Sequence, residues 1–492
     1  MVMGMDRRCF LKIMGAGVAG AILGPAARGR RERRTPNVVL IFIDDMGWKD
    51  AGYAGSDLYE TPNIDRLTKE GVVFTNAYAC AGNCAPSRAC LLSGQYTPRH
   101  GVYAVGNTKR GPVNQMRLEP IPNSTVLSAD NITVAEAMRA AGYATGMFGK
   151  WHLGTTEEVL PAGQGFDVDE NCSPPSNKKF KQTNDPKSIY QITEGACRFM
   201  EKNRGRPFFA YVSHHATHMG IQAKQAMYDK FAGKGEGKMH SHEQYAAMNA
   251  QMDDGVGILL DKIKSLGLER ETLVVFTSDN GGLPQSSQAP LRGFKGLYYE
   301  GGIRVPLIAR WEGVTRAGTS CDVPVHNVDL YPTFLNAAGA ETPRGKVLDG
   351  ESLLGLLKGE KGLRREAIFW HFPGYLDRAN SGSRDQLFRT RPVTVIRKGD
   401  WKLHLFHEEW VLDGGRAKVD TNKAVELYNL REDIGERNNL ASTWKDKRDE
   451  LLDDLLAWMT RTGAKMPSQA NALYDPTKVT DRKKKRKAKQ NS

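Results

Sequence analysis

Short, unbroken apolar runs recur along the chain, and each hands over abruptly to polar residues. Residues 37–45 read NVVLIFIDD, 207–218 PFFAYVSHHATH, 272–282 TLVVFTSDNGG and 305–311 VPLIARW. Runs this apolar, without a polar alternate face, predict strands buried on both sides. Between them the spacing changes to that of helices. TPNIDRLTKEG predicts one closed by Gly71, and EQYAAMNAQMDDGVGILLDKIKSLG a long amphipathic one ended by Gly267. In NITVAEAMRAAGYATGMFGKWHLG, Thr133 and Glu136 have capping-box spacing, the helix stops at Gly142, and a strand leads into Gly149, Lys150, Trp151 and His152. Strands and helices alternating through 37–340 predict an α/β domain: a large, mostly parallel sheet flanked by helices. In such sheets ligand chemistry collects at the carboxyl ends of strands. The unusual polar clusters of this chain fall there.

Beyond residue 360 the texture changes. EAIFWHFPGY, RPVTVIRKGDWKLHLF and VELYNLRED predict short strands of an antiparallel meander, followed by a helix in KDKRDELLDDLLAWMTRTG. The expected organisation is a catalytic α/β domain over 36–360 and a smaller α+β subdomain with an antiparallel sheet over 361–470. A signal and basic linker over 1–35 precede them, and a basic disordered tail over 471–492 follows.

The 492 residues, 40% hydrophobic and 25% charged, are ordinary for a globular protein. The net charge of +13 changes the picture only through its location. Residues 1–35 carry +6 and residues 478–492 carry +7, so the body between is formally neutral. That distribution argues against a nucleic-acid-binding surface; the tails could still hold the protein near an anionic polymer by screened attraction. At the N-terminus, Arg7 and Arg8 precede Phe10, Leu11, Lys12 and a Gly/Ala-rich apolar stretch. The stretch is too short, and too interrupted by Lys12, for a membrane span. It resembles a twin-arginine export signal, with an ordinary secretory signal as the alternative. The expected partner is the twin-arginine export machinery, and the expected location periplasmic or secreted.

Candidate chemistry starts with oxygen donors. Asp44, Asp45, Asp279 and Asn280 stand at the ends of two predicted strands. Hard oxygen ligands suit Ca²⁺, with Mg²⁺ the alternative, rather than zinc. Arg88, Lys150 and Lys295, gathered beside such an ion, would make a pocket for a tetrahedral dianion. His152 and His218 suit proton transfer; His214 and His215 in the same HHATH cluster are rivals to His218. His371, in FWHFPGY, either reaches the substrate or packs within an aromatic strand. Seven cysteines show no CxxC pair and no zinc spacing, which leaves Cys84 free for another task.

These residues carry a resemblance. CAPSR, residues 84–88, resembles the Cys-x-Pro-x-Arg signature of type I sulfatases, and GYATGMFGKWHLG their second signature. IDDMG, THMG, TSDNGG and GFKGLYYEGGIRVP resemble the remaining active-site blocks, in the family's order, over roughly residues 36–460. Gly220 stands where the family often has proline; Asn83, Phe148 and Ser93 are also uncommon choices. The resemblance implies an alkaline-phosphatase-like fold and sulfate-ester hydrolysis. It implies that a maturation enzyme oxidises Cys84 to formylglycine (3-oxoalanine) before export. Hydrated, that aldehyde has one hydroxyl to attack sulfur and a second to expel sulfate, an exit that a plain serine ester lacks. It further implies that Asp44, Asp45, Asp279 and Asn280, with residue 84, hold the cation. Arg88 would position them, Lys150 and Lys295 would neutralise sulfate oxygens, His152 would be the base, and His218 with Lys295 would protonate the leaving oxygen. The expected substrate is a sulfated carbohydrate, with galactose or N-acetylgalactosamine sulfates the first guess. A phosphomonoesterase or phosphodiesterase of the same fold, or a non-catalytic polyanion-binding protein, is the alternative.

Overall fold

The computed structural model describes residues 35–172, 185–235 and 237–478. The twin-arginine segment and residues 479–492 of the basic tail lie outside the described residues.

An eight-stranded sheet forms the centre. From one edge its order is Val168–Glu170, Ala144–Gly149, Phe208–Ser213, Asn37–Ile43, Thr272–Ser278, Leu307–Arg310, Val72–Phe74 and Thr319–Cys321. The first five run parallel. Leu307–Arg310, within the apolar run VPLIARW, is antiparallel to both of its neighbours, so the sheet is mixed but mostly parallel. The middle strand explains why its sequence lacks a polar face. Val38, Leu40 and Phe42 pack into one core with the helices Cys84–Ser93, Val134–Ala140 and Leu330–Ala338. Val39, Ile41 and Ile43 pack into the other with Pro62–Glu70, Ile189–Lys202 and Glu243–Ser265. Period-two alternation thus faces oil on both sides. The capping box forms as expected: the Thr133 hydroxyl accepts from Glu136 N–H at 3.2 Å, and Glu136 accepts from Thr133 N–H at 2.8 Å.

The C-terminal strands form a four-stranded antiparallel sheet ordered Ala367–Phe372, Val393–Lys398, Trp401–Phe406 and Val425–Asn429. One face takes the helix Lys445–Thr462, where Trp458 stacks on Phe369 with centroids 4.7 Å apart. The other face, through Ile368, Trp370 and Phe372, packs on Tyr78, Tyr298 and Ile303 of the large sheet's side. Trp370 Nε1 donates to Ala79 O at 2.7 Å, which satisfies the indole inside that apolar seam.

Residues 471–478, assigned from the sequence to a disordered tail, are instead fastened to the body. Asn471 is buried; its Nδ2 donates to the carbonyls of Val113 and Met116 at 2.8 Å each, and its N–H to Arg117 O at 2.9 Å. One amide side chain thus bridges both ends of the turn Val113–Met116, a long-range pairing that local composition does not reveal.

Candidate active site

Four adjacent parallel strands end together, and their register decides what meets. Gly149 lies beside Ser213, and Ile43 beside Ser278. The residues that follow, Lys150, His214, Asp44 and Asp279, therefore leave one edge at strand spacing. Asp45 turns off its strand with φ 67°, a left-handed conformation that aspartate tolerates better than most residues. Gly149 has φ 97°, and a Cβ there would collide with the Ser213 carbonyl. Glycine is what lets Lys150 N–H reach that carbonyl at 2.7 Å.

Cys84 is the first residue of the helix Cys84–Ser93, directly after Asn83 at the N-cap position, and is only 2% exposed. The positive end of that helix points at the strand edge. Its Sγ, with carboxylate oxygens of Asp44, Asp45 and Asp279, forms a set of potential ligand atoms all within 4.8 Å of one another. Asp44 Oδ1, Asp45 Oδ2 and Asn280 Oδ1 are buried without any hydrogen-bond donor. Three orphaned oxygens at one point are costly unless a cation takes them. The donor set, carboxylates and one amide, fits Ca²⁺ or Mg²⁺.

The cations interleave with these carboxylates. Arg88 is fully buried. Its Nε and Nη2 donate to Asp279 Oδ2 at 2.9 and 2.8 Å, and its Nη1 to Lys150 O at 2.8 Å and Ser213 Oγ at 2.5 Å. Lys150 Nζ donates to Asp44 Oδ2 at 2.6 Å. Lys295 Nζ donates to Asp45 Oδ1 at 2.5 Å and lies 3.4 Å from Cys84 Sγ. Burial disfavours the charge on Asp44, but Lys150, His218, Arg88 and Lys295 outweigh it and hold the carboxyl well below its usual range. Asp279 goes the other way: burial, then Asp44 and Asp45, push it up to about 6 against the pull of Arg88. Burial raises the Cys84 thiol despite the nearby lysines, so it is protonated at neutral pH.

Of the three histidines in HHATH, His218 faces the cluster, with Nε2 3.8 Å from Asp45 Oδ2. His214 is buried with neither ring nitrogen partnered, and His215 meets Asn171 O at 3.2 Å. His152 opens to solvent beside Lys150. Its partly desolvated setting, then Lys150 and Arg88, holds its imidazole neutral. His371 does not join them. It is 1% exposed, its Nδ1 meets Thr394 Oγ1 at 2.8 Å, and its ring lies against Tyr103 and His407. The expectation that it reaches substrate is corrected to the packed alternative; its strand is covered on both faces, so Ile368–Phe372 are all buried.

Two neighbours escaped the sequence reading. Ser213 ties Arg88 to Lys150 by donating to Lys150 O at 2.9 Å; a polar residue ending an apolar strand was its signal. Lys187, buried with φ 62°, donates to Met219 O at 2.9 Å and feels both Asp44 and Asp45. Nothing in its local sequence marks it.

An alkaline-phosphatase-like sheet with a carboxylate–cation–thiol cluster at its carboxyl edge defines a hydrolase of anionic esters. Comparison with known proteins narrows the class. The Sulfatase family profile matches residues 36–340, and that of the N-sulphoglucosamine sulphohydrolase C-terminal region matches 294–462. A sulfatase of Formosa agariphila is 31% identical, with 93% of this chain and 95% of that one covered. The N-acetylgalactosamine-6-sulfatase of Mus musculus is 33% identical over 75% of this chain and 72% of its own. The crystal structure of Ps i-CgsB in complex with k-i-k-neocarrahexaose superposes with a TM-score of 0.68 at 26% identity, covering 91% of this chain and 96% of that one. The chain belongs to the sulfatase family, whose members are sulfuric ester hydrolases.

Proposed function

We propose that the protein hydrolyses sulfate esters of carbohydrates, galactose or N-acetylgalactosamine sulfates first among them, with residue 84 acting as formylglycine beside Ca²⁺ or Mg²⁺. The observation that carries this reading is Cys84 at a helix N-terminus amid three donor-less oxygens and two lysines. A buried, protonated thiol is a poor nucleophile as it stands, which favours its role as a precursor. When present, the hydrated aldehyde supplies one oxygen to attack sulfur and another to release sulfate; the cation supplies Lewis acidity.

The chain's own groups do the rest. Asp44, Asp45, Asp279 and Asn280 would hold the ion, and Arg88 would fix Asp279 through two of its nitrogens. Three carboxylates stand against Arg88, Lys150 and Lys295, so a divalent cation together with a sulfate-sized dianion keeps the buried site balanced. Lys150 and Lys295 would turn from Asp44 and Asp45 toward sulfate oxygens. His152, held neutral, would accept the proton at residue 84, and His218 with Lys295 would protonate the leaving oxygen. Among the described residues this is the one cluster of its kind, which speaks for a single ion rather than the two-ion phosphatase alternative. Conversion by a maturation enzyme and export through the twin-arginine machinery to the periplasm or beyond belong to the same reading.

The test is mass spectrometry of the tryptic peptide spanning 70–88 from protein co-expressed with a maturation enzyme. An aldehyde at position 84, in protein that cleaves sulfate esters, is the expected result. Full turnover by protein with an intact thiol there would refute the mechanism. Converted protein inert toward every sulfate ester would refute the substrate class.

A further inference from the structure

Beside the catalytic cluster lies a second cationic group whose charge is not balanced. The strands Leu376–Asp377 and Phe388–Thr390 form a small antiparallel ladder. It is fastened to the turn after Lys295, where the Thr390 hydroxyl donates to Gly296 O. Gly296 has φ 90°, and a Cβ there would strike Arg389 Cδ, so the arginine lies flat over the turn. Half-buried Arg389 has no carboxylate partner among the described residues. Its Nη1 reaches Lys295 O at 3.4 Å and its Nε reaches Arg378 O at 3.5 Å, both long contacts to carbonyls. Asp377 is already engaged, with Oδ1 3.0 Å from Arg110 Nη2 and Oδ2 3.6 Å from Arg378 Nε. Arg110 itself is brought in because residues 108–110 pair with Tyr375. Arg110 and Arg378 therefore share one carboxylate, and Arg389 stands beside them without a direct one. Burial, then repulsion from Arg110, lowers the pKa of Arg389, with Asp377 pulling back and Arg378 adding to the repulsion. Neighbouring Lys109 and Arg391 have their own acidic partners, Glu119, Asp385 and Glu408; Arg389 is left over.

A planar, partly desolvated guanidinium without an anion suits bidentate capture of a sulfate or carboxylate. Lys295 links the two sites: its ammonium faces Cys84 and its carbonyl touches Arg389. Their separation is one lysine side chain, comparable with the span of a sugar ring or two. We propose that Arg389, Arg110 and Arg378 form a second anion subsite, which receives a further sulfate or carboxylate on the same or adjoining sugar. The enzyme would thereby prefer multiply anionic carbohydrates over singly sulfated ones. This inference rests on the sulfated-carbohydrate reading above.

The test compares three probes with protein converted at residue 84: N-acetylgalactosamine 6-sulfate, its 4,6-disulfate, and a disaccharide joining the 6-sulfated ring to a uronate. Wild type should show kcat/KM about tenfold higher on a doubly anionic probe than on the monosulfate. Arg389→Gln and the exposed-site variant Arg378→Gln should collapse that ratio through KM, and Arg389→Lys should restore part of it. Preference for the disulfate identifies a sulfate as the second group; preference for the disaccharide identifies a carboxylate. A wild-type ratio near one on both, or a ratio that survives in both glutamine variants, overturns the inference. If wild type cleaves none of the probes, the choice of sugar fails, and binding decides the subsite. Calorimetry of sucrose octasulfate with Cys84→Ala protein should then show about tenfold weaker binding once Arg389→Gln is added. An unaltered Kd overturns it.

Discussion

Replacing Arg88 by methionine keeps the volume of the side chain and removes its charge and its fork. The guanidinium is inaccessible to solvent and makes four hydrogen bonds, two to Asp279 and one each to Lys150 O and Ser213 Oγ. Asp279 would keep only the N–H of Asp45, at 3.0 Å from Oδ1. Each charge-assisted bond is worth about 1.5–3 kcal/mol, but the losses do not add, because the orphaned carboxylate escapes part of the penalty by taking a proton. Breaking a buried ion pair by deleting one partner costs about 3–5 kcal/mol. Burial, Asp44 and Asp45 already push Asp279 up to about 6 with Arg88 in place, so losing Arg88 raises it further and favours the neutral carboxyl, which is a poorer partner for a cation. Two readouts follow. For a chain of this size about 1–2 °C per kcal/mol is the scale, so Tm should fall by roughly 5 °C. The thermal response to added Ca²⁺ should weaken at pH 7 and recover in part toward pH 9. Arg88→Lys, which returns the charge without the fork, should lie between. A methionine variant with unchanged Tm and unchanged Ca²⁺ response would show that this pair holds neither the fold nor the ion site.

Other predictions concern the oxygen cluster and the seam with the C-terminal sheet. Ca²⁺ or Mg²⁺ should raise Tm, with about 2.7 kcal/mol gained at a hundred times Kd, and chelation should reverse the gain. Asn280→Ala should flatten that response, and a wild type indifferent to both ions would remove the metal from the site. In the seam, Lys402 Nζ sits 2.9 Å from both Glu300 and Glu436. Glu300 stays ionised, whereas burial, and Glu300 itself, push Glu436 up to about 7 against the pull of Lys402. Its folded value exceeds the ordinary 4.5, so the native state holds the extra proton between these values. Stability through this group is therefore full below about 4.5 and falls as pH rises to about 7. Glu436→Gln should show a flatter Tm profile across that window; a profile parallel to wild type would refute the assignment.

The sequence by itself determined the elements and the chemistry they carry. Apolar runs closed by Asp44–Asp45 and Asp279–Asn280 announced buried strands with polar residues at their ends, because the six consecutive apolar residues Val38–Ile43 and the four of Leu273–Phe276 leave neither face of a strand for solvent. Thr133 and Glu136 fixed a helix start three residues apart, and CAPSR singled out Cys84, although its place at a helix N-terminus came only with the structure. Strand order is a different kind of fact. Only the folded sheet decided that the strands ending at Gly149, Ser213, Ile43 and Ser278 lie side by side, and thereby that Lys150, His218, Asp44 and Asp279 converge. It also decided which polar residues stay outside: His371 is enclosed because its strand is covered on both faces, although its sequence equally allowed a place at the substrate. Lys187, Ser213 and Arg389 became visible only through partners far along the chain, and Asn471 left the tail for the same reason. Periodicity records which face of an element is buried, but it carries no information about the element that buries it. Long-range pairing is settled by the total packing of both cores, and that is a property of the whole chain.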